Sequence, residues 1–277
     1  MQKDIATINW LKYLVRTYDS LNKSNAASKN RLQALIPDAP AKYNEIISKV
    51  DNVKGQYERL IKKQLEFWDI WNLWLKKVPG AGAVSVGHLI LYYYYKSIPI
   101  CTTCGADLIK DKDETNNKKT YLCSACGKKT KGDGILTYRI EFRDFPTISK
   151  WWYFMGLGNG KPGTEWEGRM PKRKKGTSLD WKPAGRTLCY LIGINFVKQN
   201  PEYKRFYDLR KAHREQTHPD ASKGHRDNMA RHEMMKLFLS HFWQVARTME
   251  GLPVTKPYVH TVMGHTGFID PFYWDPV

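Results

Sequence analysis

Four cysteines carry the plainest chemistry in this chain. Cys101-x2-Cys104 is followed after eighteen residues by Cys123-x2-Cys126, and each pair runs into a glycine, Gly105 and Gly127. Four thiolates at this spacing make a closed tetrahedral zinc site, structural because no ligand position stays open. The glycines let the backbone fold around the metal as two knuckles. A redox reading of the CxxC pairs is weaker, since two pairs are present and no thioredoxin-like pattern surrounds them. The hairpin from Lys110 to Thr120 is too polar for a core. Lys128, Lys129 and Lys131 beside the second knuckle are either solvated or touch nucleic acid.

Two further stretches could hold phosphate. From Arg169 to Arg186 the chain carries seven Lys or Arg (Arg169, Lys172, Arg173, Lys174, Lys175, Lys182, Arg186) against one acid, Asp180. This basic, glycine-rich loop lies between two apolar runs, which suits it to a phosphate backbone better than a merely solvated charge run. The other stretch is Val78-Pro79-Gly80-Ala81-Gly82-Ala83, which opens a run of small and apolar residues and looks like a helix-hairpin-helix. Gly80 and Gly82 allow a tight turn without Cβ clashes. The helix behind the turn has N–H groups with no internal partner, and these favour a phosphate oxygen. Such contacts position a protein on a backbone without reading sequence. The plain alternative is an ordinary helix–helix turn.

The totals point the same way. The chain has 277 residues, 42% of them hydrophobic, with 45 Lys plus Arg, 27 Asp plus Glu and a net charge of +18; its isoelectric point is about 9.6. A folded chain this basic meets a polyanion, with nucleic acid first and an anionic membrane surface second. No long apolar span or lipidation signal supports a membrane, and Met1 to Trp10 lacks the apolar core of a signal peptide. The expected location is intracellular and cytoplasmic, associated with the nucleoid. Cys189, the fifth cysteine, lies in an apolar run and reads as a small buried hydrophobe.

The elements that must position these residues are mainly helical. Residues 1–77 read as two long helices, one with Ile5, Ile8, Leu11, Val15, Tyr18 and Leu21 in a stripe and ended by Pro37 and Pro40. The second carries Ile46, Val50, Val53, Tyr57, Leu60, Trp68, Trp71 and Leu75. They form a helical hairpin packed on its own domain or a coiled coil that also joins two protomers. Residues 78–98 hold the glycine turn and a helix continuing through Tyr92–Tyr95, and 99–142 hold the zinc ribbon with a strand over 135–142. Residues 143–250 form a helical domain. A helix starts near Thr147, its N-cap, and ends at Met155-Gly156. Others run over about 186–199, 202–216 and 226–249. Residues 251–277 are a tail wrapped on the surface. Trp151, Trp152 and Tyr153 read as core rather than base-stacking platforms. His213, His218, His225 and His232 read as solvated loop residues, or as neighbours of phosphate-contacting Arg226 and Arg231, rather than as a second metal site.

The order of Pro79-Gly80-Ala81-Gly82, Gly156-Leu157, Asn200-Pro201, Phe206-Tyr207 and Ala230-Arg231 resembles the C-terminal transposase domain of DEDD-type insertion-sequence transposases, the bridge-RNA-guided serine recombinase family. The resemblance covers about residues 10–250. It implies DNA as partner, a structured guide RNA, a homo-oligomer through the N-terminal helices and strand transfer by a hydroxyl nucleophile. The family's hydroxyl lies roughly eight residues beyond the Gly-Leu step. Counting from Gly156 lands on Thr164, followed by Glu165 instead of the family's glycine, and Ser178 is the other candidate. Such a hydroxyl needs activation, and no clear base is in view. The chain departs from the family in its inserted ribbon and in lacking the ribonuclease-H-like acidic half. The resemblance therefore implies Mg2+ only with an acidic partner domain, and it leaves open a non-catalytic regulator or accessory protein derived from a transposase.

Overall fold

A computed structural model describes residues 4–37, 41–111, 120–131, 137–160, 163, 165, 167, 180–255 and 269–275. It is mainly helical, with eight α-helices and two small antiparallel sheets among the described residues. The chain divides into two compact units, residues 1–89 with 145–277, and residues 90–144. The second unit is thus an insertion in the first, as the sequence order implies for the ribbon.

In the larger unit, α1 (Ile5–Leu35) and α2 (Ala41–Leu65) form an antiparallel hairpin. Cross-links at both ends set the direction: Asn25 Nδ2 donates to Asp51 Oδ1 at 2.7 Å, and the Tyr13 and Tyr57 hydroxyls meet at 3.4 Å. Asp4 caps α1 by accepting from the Thr7 amide at 2.8 Å, which satisfies one orphan donor of the first turn. That bond holds the Asp4 carboxyl below the usual carboxylate range. The buried face differs from the stripes expected. On α1 it is Ile8, Leu11, Leu14 and Val15, with Ile5 exposed. On α2 it narrows to Ile61 and Leu65, while Ile46, Val53 and Leu60 remain 58%, 39% and 45% exposed.

The second helix is also shorter than its periodicity predicts. It ends at Leu65, and the chain resumes as α3 (Asp69–Leu73) and a 3-10 turn, Leu75–Lys77. Between them the Glu66, Phe67 and Trp68 amides donate to the carbonyls three residues back, and the Asn72 side chain donates to the Glu66 carbonyl at 2.7 Å. The tightening turns Trp68, Trp71 and Trp74 into the core, where all three are buried. Three indoles bury far more area than a continued helix would gain on a surface, so tertiary packing overrides helix periodicity.

Next in chain order come α4 (Ala83–Tyr94), α5 (Ile148–Phe154), α6 (Pro183–Gln199), α7 (Pro201–Thr217) and α8 (Lys223–Met249). The last four match the sequence reading to within a few residues. Asn200 and Ser222 cap α7 and α8 through the Tyr203 and His225 amides. Thr147 sits at the N-cap of α5, but its hydroxyl makes no capping bond. The core is aromatic: Phe196 on α6 stacks on Tyr203 of α7 at 4.6 Å, and both meet Phe238 of α8 edge-on. Trp151 and Trp243 are also buried, as the core reading of Trp151 requires, and Trp243 Nε1 donates to the Phe145 carbonyl at 2.6 Å. Arg247, buried too, stacks on Trp243 and donates to the Pro253 and Phe145 carbonyls. Along the α7–α8 seam, Glu233 accepts from Arg210 and Arg214, and Asp227 from Tyr207 and Arg231.

The tail is less superficial than its composition suggests. Phe272 packs its ring on Tyr203 and His241, its carbonyl accepts from Trp74 Nε1 at 2.8 Å, and Tyr273 donates to Asn200 Oδ1 at 3.0 Å. His241 ties this segment to the bundle. Its Nδ1 accepts from the Tyr203 hydroxyl at 2.7 Å and its Nε2 donates to the Ile269 carbonyl at 3.1 Å. Burial drives its pKa down to about 3, so it is neutral in the fold.

In the smaller unit, β1 (Tyr95–Ile100) pairs antiparallel with β5 (Thr137–Phe142), the partner that the alternating run over 135–142 needed. The helix through the four tyrosines therefore ends at Tyr94, and Tyr95 begins a strand opposite Phe142, ring against ring at 5.2 Å. Aromatic cross-strand pairs of this kind stabilise a two-stranded ribbon. The remaining strands, β2 (Leu108–Asp111), β3 (Thr120–Cys123) and β4 (Lys129–Lys131), form a sheet in that order.

Candidate metal centre and basic face

The four cysteines converge. Their sulfurs all lie within 4.8 Å of one another, with Cys101 and Cys126 at 3.8 Å and Cys104 and Cys123 at 3.4 Å. A tetrahedral site with metal–sulfur bonds of about 2.3 Å has sulfur–sulfur edges of ~3.8 Å, whereas a disulfide would need about 2.05 Å. Each knuckle is built by its glycine. Gly105 and Gly127 adopt φ of +74° and +70°, a region only glycine enters freely. Their amides close back on the Cys101 and Cys123 carbonyls at 2.9 and 3.2 Å.

The knuckle amides then face sulfur. The Thr103 and Cys104 N–H groups hold the Cys101 thiol down to about 6, and those of Cys126 and Ala125 lower Cys123. The Ala106 amide favours a Cys104 thiolate too, but hydrogen bonding to Cys123, burial and its other cysteine neighbours push it up to about 12. Four thiolates this close repel one another, and a divalent cation in their midst is what lets all four ionise. Cys101 and Cys123 are buried with Leu108, and Ala106 and Tyr121 pack on them. This is a very small apolar cluster, and a metal held by the four sulfurs would add order that apolar packing does not supply there. Lys128 donates to Thr103 Oγ1 at 3.0 Å, bridging the knuckles.

The expected phosphate-binding residues fall into three groups. Arg169, Lys172, Arg173, Lys174 and Lys175, with the hydroxyls of Thr164 and Ser178, lie outside the described residues. Gly80 and Gly82 lie in the turn before α4. Gly80 has φ of +84°, and a Cβ there would meet Phe196 Cδ1 at 3.1 Å and the Asn195 carbonyl at 3.2 Å. It therefore lets the turn press on α6, an arrangement held by Asn200 Nδ2 donating to the Pro79 carbonyl at 2.9 Å. Gly82 is exposed, with open space where its Cβ would stand. The element before this turn is α3 and a 3-10 turn instead of the end of a long helix.

The third group surrounds α6. Lys182 is its N-cap residue and Arg186 stands exposed on its first turns, with no acidic residue in the first turn. Gly156, at φ +74°, makes this junction possible: a Cβ would sit 2.7 Å from the Trp181 ring and 3.1 Å from Arg186 Cβ. Asp180 accepts from the Tyr153 hydroxyl at 2.7 Å, and burial together with that bond pushes the phenol up to about 12. Arg231, on α8, lays its stem against Gly193 of α6, where a Cβ would meet Arg231 Cγ at 2.9 Å. Its guanidinium donates to Asp227 and to Asn228 Oδ1 and covers one face of Tyr190 at 5.3 Å. Arg226 plays a different part from the phosphate contact expected, since its Nη1 donates to the Pro219 and Ala221 carbonyls and fixes the 218–221 loop. Cys189 is buried, which pushes its thiol up.

Comparison of the chain with protein-family models, with curated proteins and with solved structures finds no match. Among the described residues, the four cysteines are the one group of three or more His, Cys, Asp or Glu side chains suited to a metal. No described helix is long and apolar enough to cross a membrane.

The sequence missed the α7–α8 ladder of Arg210, Arg214, Asp227 and Glu233. Basic residues at i, i+4 on one helix and acids six apart on the next are its signature, but only the pairing of the helices makes it legible. The solvated reading of His232 is also corrected: it lies within α8, donates to the Leu157 carbonyl and is held at about 4 by burial and by the nearby charges of Lys236 and Arg186.

Proposed function

We propose that this chain is a nucleic-acid-binding protein of a mobile element, of the transposase or recombinase kind, that grips a phosphate backbone through the 169–186 segment and the start of α6. The observation that carries the reading is half-buried Lys182 and exposed Arg186, at an α6 N-terminus without an acid in its first turn, joined directly to the most basic run in a chain of net charge +18. Helix dipole and side-chain charge then favour an anion together. The exposed Gly82 amide region is a further backbone contact in this reading. The two acids of α8, Asp227 and Glu233, are engaged with Arg231, Arg210 and Arg214.

In the same reading the metal is Zn2+ and its role is structural, because four sulfurs leave no open position. DNA is the expected partner, with a structured guide RNA as the companion that the transposase resemblance implies, and the expected setting is the nucleoid. The exposed heptad stripe Ile46, Val53 and Leu60 on α2 supports association of two protomers through the helical hairpin. Strand transfer by Thr164 or Ser178, with Mg2+ held by an acidic partner chain, is the enzymatic form of this reading; the non-catalytic regulator is its other form. Crosslinking and sequencing the nucleic acid that copurifies with the zinc-loaded protein tests the proposal. A defined RNA encoded beside the gene supports the guided form, heterogeneous DNA supports the regulator, and recovery of no nucleic acid contradicts both.

A further inference from the structure

Within the larger unit, α6, α8 and the turn after α5 enclose a cleft of about 340 Å3. Its floor is apolar, made by Leu157, Cys189 and Met235. Tyr190 forms one wall and keeps half its surface exposed although Arg231 covers one ring face. Exposed Arg186 and His225 and half-buried Arg231 and His232 complete the lining, with Arg231 paired to Asp227 and His232 held neutral by burial. Arg231 Nε is buried without a hydrogen-bond partner among the described residues.

An apolar floor, an open aromatic face and cations at the rim are the three surfaces of a nucleotide site: the base stacks, the sugar lies on the lip and the phosphate meets guanidinium. The volume falls at the low end of small-molecule sites, which run about 300–1,000 Å3, and suits one nucleotide. Arg186 belongs both to this rim and to the basic face at the start of α6. A strand lying on Lys182 and Arg186 therefore passes the mouth of the cleft, and one residue turned out of its stack enters it.

We infer that this cleft takes a single unpaired nucleotide of the bound nucleic acid, base on Tyr190 and the apolar floor, phosphate on Arg186 and Arg231. The inference rests on the backbone-binding reading above. Every side chain it uses is drawn from the cleft and none from the cysteine centre. Apart from Arg186 and Arg231, already on the basic face, the residues have no assigned role. Energetically it adds one stacking contact and one desolvated phosphate contact to binding that is otherwise electrostatic.

The test measures anisotropy of the full zinc-loaded chain with three DNA hairpins: fully paired, carrying a one-nucleotide bulge, and carrying an abasic bulge. The bulged hairpin is expected to bind roughly 10-fold more tightly than the paired one, the size of one base–aromatic stack. The abasic bulge is expected to lose most of that preference. Tyr190→Leu, an exposed position, is expected to bring the bulged-to-paired ratio to about one, and Arg186→Gln to reduce it. A ratio of one in the wild type, or a ratio that survives Tyr190→Leu in a variant with an unchanged melting temperature, overturns the cleft assignment while leaving backbone binding in place. Saturation by free adenosine monophosphate with no bulge preference overturns it in favour of a free nucleotide. Failure of all three hairpins to bind overturns the backbone-binding reading itself.

Discussion

Lowering the pH should destabilise the larger unit before its carboxylates protonate, and His241 is a main reason. This imidazole is buried, accepts from the Tyr203 hydroxyl and donates to the Ile269 carbonyl. Its pKa falls from an ordinary 6.5 to about 3 by burial. A histidine with a depressed folded pKa stays neutral in the native state while the unfolded chain takes up a proton. Stability is thus complete above pH 6.5 and is lost as pH falls from there towards 3. At about 1.4 kcal/mol per pH unit, moving from pH 7 to pH 5 removes about 2 kcal/mol through His241 alone. His232, held at about 4 with its ring donating to the Leu157 carbonyl, removes roughly the same again by that linkage. Together that is a large part of a typical domain stability of about 5–15 kcal/mol.

Urea unfolding at pH 7, 6 and 5, followed by tryptophan fluorescence, reads this out. The ten tryptophans all lie outside residues 90–144, so the signal belongs to the larger unit. His241→Gln should be less stable at pH 7 and lose about one proton from the pH slope. Equal slopes in the wild type and the variant, or a His241 ring titrating near 6.5, would refute the reasoning.

Other outcomes follow from single residues. Gly156→Ala forces an L-residue to φ +74° with its Cβ 2.7 Å from Trp181; a loss of roughly 2–4 kcal/mol and a clear drop in melting temperature are expected, by calorimetry. Chelation should release one Zn2+ per chain, measured by mass spectrometry. It should abolish amide protection in residues 95–142 while the fluorescence of buried Trp151 and Trp243 persists, since the ribbon's own apolar cluster is tiny. Cys104→Ser should mimic it. Val53→Lys places a charge in the exposed Ile46–Val53–Leu60 stripe and should lower the association state in light scattering without changing the monomer's melt; an unchanged mass would remove the stripe from the interface.

The four-cysteine cluster was legible because spacing and knuckle glycines are local. Positive φ at Gly105 and Gly127 follows from the CxxCG pattern itself. The end of α2 was not legible, since Trp68, Trp71 and Leu75 fit a helix as well as they fit the turn that buries them; only the aromatic core on α6 and α8 decides between the two. Tyr92–Tyr95 hid a helix-to-strand switch for the same reason, because the strand depends on a partner more than forty residues away. The tail looked superficial because nothing in its composition tells that Phe272 meets Tyr203 and His241. Arg226 and Arg231 read alike in sequence, both basic on one helix. Position separates them: Arg226 closes a loop on carbonyls, whereas Arg231 lies in a groove that Gly193 opens.

The most direct test of backbone binding is the salt dependence of affinity for a duplex of arbitrary sequence. Each neutralised phosphate contributes a slope of about −0.9 in log K against log salt. Seven cations between Arg169 and Arg186 set an expected slope of roughly −4 to −6, with little difference between sequences. Replacing Lys182 and Arg186 with glutamine should reduce it by about two. A slope near zero, or one unmoved by that double substitution, would contradict the account.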